Sequence, residues 1–209
     1  MSWPEGSQIG MLLLTGGEGR RFGAPKHLQP HPFGGTWAGH LVGVFEHVFP
    51  GAPIQVLGAP IPDRQELGNL VDPRLGPARA LAHWAAGSSP FVSRWWVVAC
   101  DQIRWTVPNL EAWVALALTE DPSGENWVLA EHEGRIQYLG GFLGASLVPG
   151  IAATQATSLR ELAESLPCRI MASTGAEWLD VDQPEDLVRS PENGPWADVL
   201  ARTGPRPPG

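Results

Sequence analysis

The chain is short of positive charge, of lysine and of cysteine, and each shortage excludes something. Against 22 acidic residues stand 14 basic ones, a formal net charge of −8. A polyanion surface needs a basic face, so no nucleic-acid partner is expected. The only cysteines, Cys100 and Cys168, lie far apart in apolar, strand-like contexts. That spacing argues against a metal pair and predicts buried, reduced thiols. No apolar run approaches a bilayer span, and the opening MSWPEGSQ lacks the basic start and apolar core of a secretory signal. The expectation is a cytoplasmic protein with no membrane partner. Lysine occurs once, at Lys26, in an otherwise arginine-only basic set. A compact ammonium on a flexible stem is something arginine's planar fork does not replace, so Lys26 is a candidate point-charge ligand for phosphate.

What is present centres on Ile9 to Lys26, IGMLLLTGGEGRRFGAPK. An apolar run fit for a buried strand, Ile9 to Leu14, stops at Thr15-Gly16-Gly17, and Gly19, Arg20, Arg21, Gly23, Pro25 and Lys26 follow. Glycines directly after a strand let backbone N–H groups close on an anion, and the three cations add formal charge. The pattern is not a Walker loop, because Ala24-Pro25 separates Gly23 from Lys26 and His27 follows. Nor is it a dinucleotide fingerprint, which needs a third glycine where Phe22 stands and an acidic residue after the next strand. It reads as a phosphate-handling loop.

Downstream, apolar residues at helical spacing predict a helix from Thr36 to Phe49, ended by Pro50-Gly51. His27, His31, His40 and His47 are dispersed without ligand spacing, so no metal role is expected, although His27 and His31 lie on a loop from which they can reach a substrate. Ile54 to Leu57 reads as a strand and Leu70-Val71 as a short further one. Gly76-Pro77 opens a helix over Ala78 to Ala86. Ser93 to Cys100 is a continuous apolar strand followed at once by Asp101, which places a carboxylate where ligands bind in open α/β sheets. A helix from Pro108 to Leu118, strands Trp127 to His132 and Arg135 to Leu139, and a helix from Ser158 to Leu166 follow. Gly140-Gly141-Phe142-Leu143-Gly144 implies close backbone approach to a ligand or to packed side chains. EWLDVDQPEDL reads as a strand ending at Asp182, then a helix opened by Pro184. The ten tryptophans leave room for an exposed aromatic patch. The expected organisation is one domain over residues 1–189 and a Pro/Gly-rich tail over 190–209.

The Leu14 to Lys26 stretch resembles the signature L-A-G-G-x-S-x-R-M-G-x-P-K of the nucleotidyltransferases that activate sugars and cofactors. The closest form is that of molybdenum cofactor guanylyltransferases. Leu14, Thr15, Gly16 and Gly17 stand at L-A-G-G, Arg21 at the arginine, Gly23 at the glycine and Pro25-Lys26 at the end, with Thr15, Gly19 and Phe22 replacing Ala, Ser and Met. The resemblance covers residues 8–189. It implies a three-layer α/β/α Rossmann-like nucleotidyltransferase fold with a mostly parallel sheet, which the strand and helix alternation also supports.

It further implies that Leu14, Thr15, Gly16, Gly17, Lys26, Asp72 and Asp101 contact nucleotide. Arg21, Lys26 and Asp101 would serve catalysis, and Asp101 and Asp182 would hold Mg²⁺. Near Asp72, Gly76-Pro77 resembles the family's G-P-L-x-G turn, with Ala80 at its second glycine. Gly58 or Ala59 occupies the region of a common asparagine. The implied reaction moves GMP from GTP to the phosphate of molybdopterin and releases pyrophosphate. The text around Asp180 and Asp182 is closer to cytidylyltransferases, so CMP transfer stays open beside sugar-phosphate activation and a nucleotide-binding regulator without turnover.

Overall fold

The structure of the protein is a computed structural model that describes residues 8–16, 24–88, 92–181 and 186. The apolar run after Gln8 forms β1 (Ile9–Leu14), buried along its whole length. The second continuous apolar run forms β3 (Arg94–Ala99). With β2 (Ile54–Leu57), β4 (Trp127–His132), β5 (Arg135–Gly144) and β6 (Cys168–Ser173) they make one six-stranded sheet, in the order β2-β1-β3-β5-β4-β6. β1 pairs parallel with both β2 and β3, and β4 pairs parallel with β6. β5 runs antiparallel to its neighbours β3 and β4. The sheet is mostly parallel, as expected.

Both faces are covered, because side chains of a strand alternate between faces and both sets are apolar here. Ile9, Met11, Leu13, Trp96 and Val98 pack with α1 (Trp37–Val48) and α3 (Val107–Glu120). Leu12, Leu14, Trp95 and Val97 pack with α2 (Pro77–Gly87), α4 (Val148–Ala152) and α5 (Leu159–Glu164). The result is the three-layer α/β/α arrangement. Helix starts follow local chemistry: the hydroxyls of Thr36, Thr106 and Ser158 accept from the backbone N–H of Gly39, Asn109 and Glu161, each worth about 1 kcal/mol. No helix among the described residues is long and apolar enough to cross a membrane.

Several expectations change. Leu70 forms only an isolated bridge to Leu57, so Leu70-Val71 is no strand: its two backbone hydrogen bonds, to Val56 O and from Gly58 N–H, do not extend into a ladder. β5 continues through the glycine segment to Gly144. The run toward Asp182 starts as a 3-10 turn, Ala176–Trp178, instead of a strand. Cys100 is buried as expected, but Cys168 is only half-buried. Every tryptophan among the described residues is buried, so these eight fill the core. The tail over 190–209 lies outside the described residues.

At the sheet edge where β3 begins, Arg94 and Asp121 are buried together. Asp121 accepts from Asn126 Nδ2 at 2.9 Å and from the backbone N–H of Glu125 and Asn126, each at 3.2 Å. An Arg94 guanidinium N–H donates to the Asp121 backbone carbonyl. Burial alone would raise this carboxyl, but the donors from Asn126 and Glu125 and the Arg94 charge outweigh it and hold it below its ordinary value. A depressed carboxyl contributes stability above its unfolded pKa and loses it as pH falls through the folded one. We expect Asp121→Ala to lower unfolding free energy by about 3 kcal/mol in urea at neutral pH. Its loss of stability on acidification should be shallower than the wild type's; an equally steep acid limb would contradict the account.

Candidate functional site

Parallel pairing of β1 with β3 places Leu14 opposite Ala99, so the loops leaving both strands emerge at one edge. The Cys100 N–H donates to Leu14 O at 3.0 Å and carries that register one residue further. Leu14 itself ends β1 with its side chain in the core. Across this edge Lys26 Nζ lies 2.9 Å from Asp101 Oδ2, in an ion pair whose side chains are 17 % and 21 % exposed. Lys26 begins a short 3-10 turn (Lys26–Leu28) that returns the loop to the sheet. Two residues 75 apart in sequence thus meet at the ends of the two central strands.

The β2 side of this edge is built by close backbone approach. Thr15 N–H donates to Leu57 O at 2.9 Å, and the buried Thr15 hydroxyl donates to Ala59 O at 2.7 Å. Gly58 has φ +126°, and a Cβ there would come within 2.6 Å of Gly16 N. Only glycine fits, and the Thr15 hydroxyl ties down the loop in which the expected asparagine is missing. Asp72 lies against Gly16, where a Cβ would collide with its carboxylate. Asp72 Oδ1 also accepts from Arg74 N–H at 2.8 Å.

Asp180 and Val181 approach from the other side. Val181 N–H donates to Asp101 O at 3.1 Å, and the Val181 side chain packs with Trp37 and Ile103. The segment is brought there by tryptophans: Trp178 meets Trp105 and Trp113 edge-on, with centroids 4.9 Å apart in each pair. Gly140 explains the glycine cluster. Its carbonyl accepts from the indole N–H of Trp96 at 2.9 Å and of Trp113 at 3.0 Å. Its φ is +86°, and a Cβ would come 2.7 Å from the Trp178 ring. The close approach implied by Gly140–Gly144 is therefore made, at Gly140, to packed tryptophans.

Of the expected site residues, Leu14, Thr15, Gly16, Lys26, Asp72 and Asp101 gather at one edge, while Gly17, Arg21 and Asp182 lie outside the described residues. His27 and His31 do not face a substrate: both are buried, and His31 engages Ile103 O. Cys100, beside Asp101, is no nucleophile, since burial and the Asp101 charge push its thiol well above the usual range. No group of three or more His, Cys, Asp or Glu among the described residues could cage a metal. The hard carboxylate of Asp101 fits a different mode, in which Mg²⁺ takes one or two carboxylates and completes its shell with phosphates and waters. Sequence reasoning missed His31, His40, Gln102, Trp105 and Trp178 as supports of this edge. The bonds of His31, His40 and Gln102 to distant backbone and the ring contacts of Trp105 and Trp178 leave no local spacing to detect.

A family model described as the MobA-like NTP transferase domain matches residues 11–170. Among solved structures, Rv0371c from Mycobacterium tuberculosis H37Rv is 20% identical, with a TM-score of 0.65 over 87% of this chain and 97% of that one. Rv0371c in complex with manganese superposes with a TM-score of 0.60 at 17% identity, over 87% of this chain and 96% of that one. The molybdopterin-guanine dinucleotide biosynthesis protein A of Archaeoglobus fulgidus is 14% identical, with a TM-score of 0.62 over 92% of this chain and 99% of that one. These likenesses show the shared fold. No curated protein matches the chain by sequence.

Gly140→Ala should cost on the order of 2 kcal/mol or more, because it combines a left-handed backbone with a clash against Trp178. We expect a lower urea midpoint and red-shifted tryptophan emission. An unshifted spectrum at full stability would mean that the tryptophans do not need this glycine.

Proposed function

Because the chain belongs to the MobA-like NTP transferase family, we propose that it moves GMP from GTP to the terminal phosphate of molybdopterin, releasing pyrophosphate. The observation that carries this reading is the Lys26–Asp101 pair, 2.9 Å apart at the C-terminal ends of β1 and β3. A cation for phosphate and a carboxylate for a hard metal are what phosphoryl chemistry needs, and they adjoin Thr15, Gly16 and Asp72. The Gly16-Gly17 pair and the name of the Archaeoglobus neighbour favour guanylyl transfer to molybdopterin.

In this reading an oxygen of the acceptor phosphate attacks the α-phosphorus of GTP in line. The new P–O bond forms as the bond to the β-phosphate bridging oxygen breaks, and pyrophosphate carries that electron pair away. Lys26 and Arg21 neutralise charge on the triphosphate, the backbone N–H groups of the glycine pair Gly16-Gly17 cradle it, and Asp72 orients the nucleoside end. Asp101 and Asp182 would hold Mg²⁺, which when bound neutralises phosphate charge. Catalysis then rests on positioning and electrostatics, without a covalent enzyme intermediate. Residues 1–189 form the transferase domain in this proposal, and the setting is cytoplasmic. The aspartate pair Asp180 and Asp182 in the sequence, closer to the cytidylyltransferase text, supports CMP transfer from CTP as the second reading.

Nucleotide choice is tested by thermal shift with GTP, CTP, ATP and UTP, each with Mg²⁺ and with chelator. GTP alone should stabilise the protein in a Mg²⁺-dependent way. CTP preference would select the second reading, and no effect of any nucleotide would overturn both. Lys26→Ala and Asp101→Ala should each lower pyrophosphate release by about a hundredfold or more. Wild-type turnover in either variant would remove that residue from the mechanism.

A further inference from the structure

The turn that follows Asp101 is held from outside by two histidines. His31 Nε2 lies 3.2 Å from Ile103 O, and His40 Nε2 lies 2.9 Å from Trp105 O. Carbonyls only accept, so each Nε2 must carry the proton. The Phe33 N–H donates to His31 Nδ1 at 3.1 Å, so that nitrogen is bare and the His31 ring is neutral. The two rings stack with centroids 3.6 Å apart and planes 8° from parallel. His31 is buried and His40 largely so. Simple packing would be met by Phe or Leu at lower desolvation cost, whereas these imidazoles use their polar atoms on alternate carbonyls of one turn.

The same turn is fastened again from within. Gln102 Nε2 donates to Leu139 O at 3.2 Å, and the buried Arg104 guanidinium donates to Asp186 O at 2.6 Å. Lys26 and His31 sit on one loop, and Asp101 and Ile103 on another. The loops are therefore joined at two points, one of which is the ion pair of the site.

We propose that His31 and His40 are positioning residues of the nucleotidyl-transfer site, clamping the Gln102–Trp105 turn so that the Asp101 carboxylate stays aligned with Lys26. This rests on the reading of Asp101 and Lys26 given above. Neither imidazole touches substrate; each acts through a backbone carbonyl. The neutral state the clamp requires is favoured by its surroundings. Burial, with the neighbouring His40 ring second, pulls the His31 ring down to about 3, and burial likewise lowers His40.

The test compares His31→Phe and His40→Phe, which keep a ring and lose the donor, with His31→Gln and His40→Gln, whose amide nitrogen can replace Nε2. Three readouts are taken. The first is hydrogen exchange of a peptide spanning 101–106 in metal-free protein. The second is Mn²⁺ affinity in the presence of GTP, and the third is kcat and KM for pyrophosphate release. We expect each Phe variant to exchange faster over 101–106, to bind Mn²⁺ about tenfold more weakly and to lose ten- to a hundredfold in kcat. The KM for GTP should stay within about twofold. The Gln variants should recover most of each loss.

Phe variants indistinguishable from wild type in all three readouts would overturn the clamp. So would Gln variants as impaired as the Phe ones, because a merely structural ring would not be rescued by an amide. The Gln comparison stands even where a Phe variant fails to fold. A wild type that binds neither Mn²⁺ nor GTP would overturn the transferase reading along with the clamp, whereas an active wild type with unaffected variants would overturn the clamp alone.

Discussion

The register between β1 and β3 is the constraint on which the rest of this molecule depends. Because the strands are parallel, with Leu14 opposite Ala99, both chains leave the sheet at one edge and at one height. A slip of one residue would turn every side chain of β1 to the other face, exchanging Met11 and Leu13 with Leu12 and Leu14 between two cores that are each already filled. The register is thus fixed by apolar packing on both sides. The site inherits that precision, since Asp101 stands two residues beyond Ala99 and Lys26 closes on it from the loop after β1. β2 adds the third margin through Thr15 and Gly58. Polar geometry at this edge is set by hydrophobic geometry below it.

The indoles extend that logic sideways. Trp96 lies in β3, Trp113 in α3, Trp105 in the turn after Asp101 and Trp178 before Val181, and they meet around Gly140. Aromatic pairs in edge-on contact add about 0.5–1.5 kcal/mol each beyond the area they bury. Here they also join four separate chain segments. The Val181 N–H reaches Asp101 O because Trp178 is already seated. This gives β5 its antiparallel direction a use: it brings the Gly140 carbonyl between two indole donors, where any side chain at that position would be in the way.

The central strands and the helices were legible because their signals are local. A continuous apolar run bounded by Thr15-Gly16, or by Cys100-Asp101, has few other readings, and Thr36 and Ser158 stand as caps at the expected helix starts. Lys26 and Asp101 were also legible as residue types in telling places, although their separation of 75 positions gave no measure of distance. What the sequence hid was settled by long-range packing. The run before Asp182 has strand composition, yet it lies as a 3-10 turn because Trp178 is drawn into the tryptophan cluster. Leu70-Val71 has strand residues but only an isolated bridge to Leu57. His31 and His40, nine positions apart and without ligand neighbours, look idle until the fold stacks them under a turn more than sixty positions away.

The lone lysine makes a final physical point. An arginine at position 26 would offer Asp101 two parallel N–H donors, a bidentate pair whose geometry and strength resist exchange. Lys26 meets Asp101 Oδ2 through its Nζ at 2.9 Å, a point contact in a site about one-fifth exposed. An ammonium is a compact charge with three rotatable donors, so it can turn from a carboxylate to another anion without breaking a bidentate geometry. On the proposed reading, in which the cation turns from Asp101 to a phosphate, the ammonium is the better group. In a chain with thirteen arginines and a formal charge of −8, the proposed exchange between carboxylate and phosphate gives the lone lysine a physical reason.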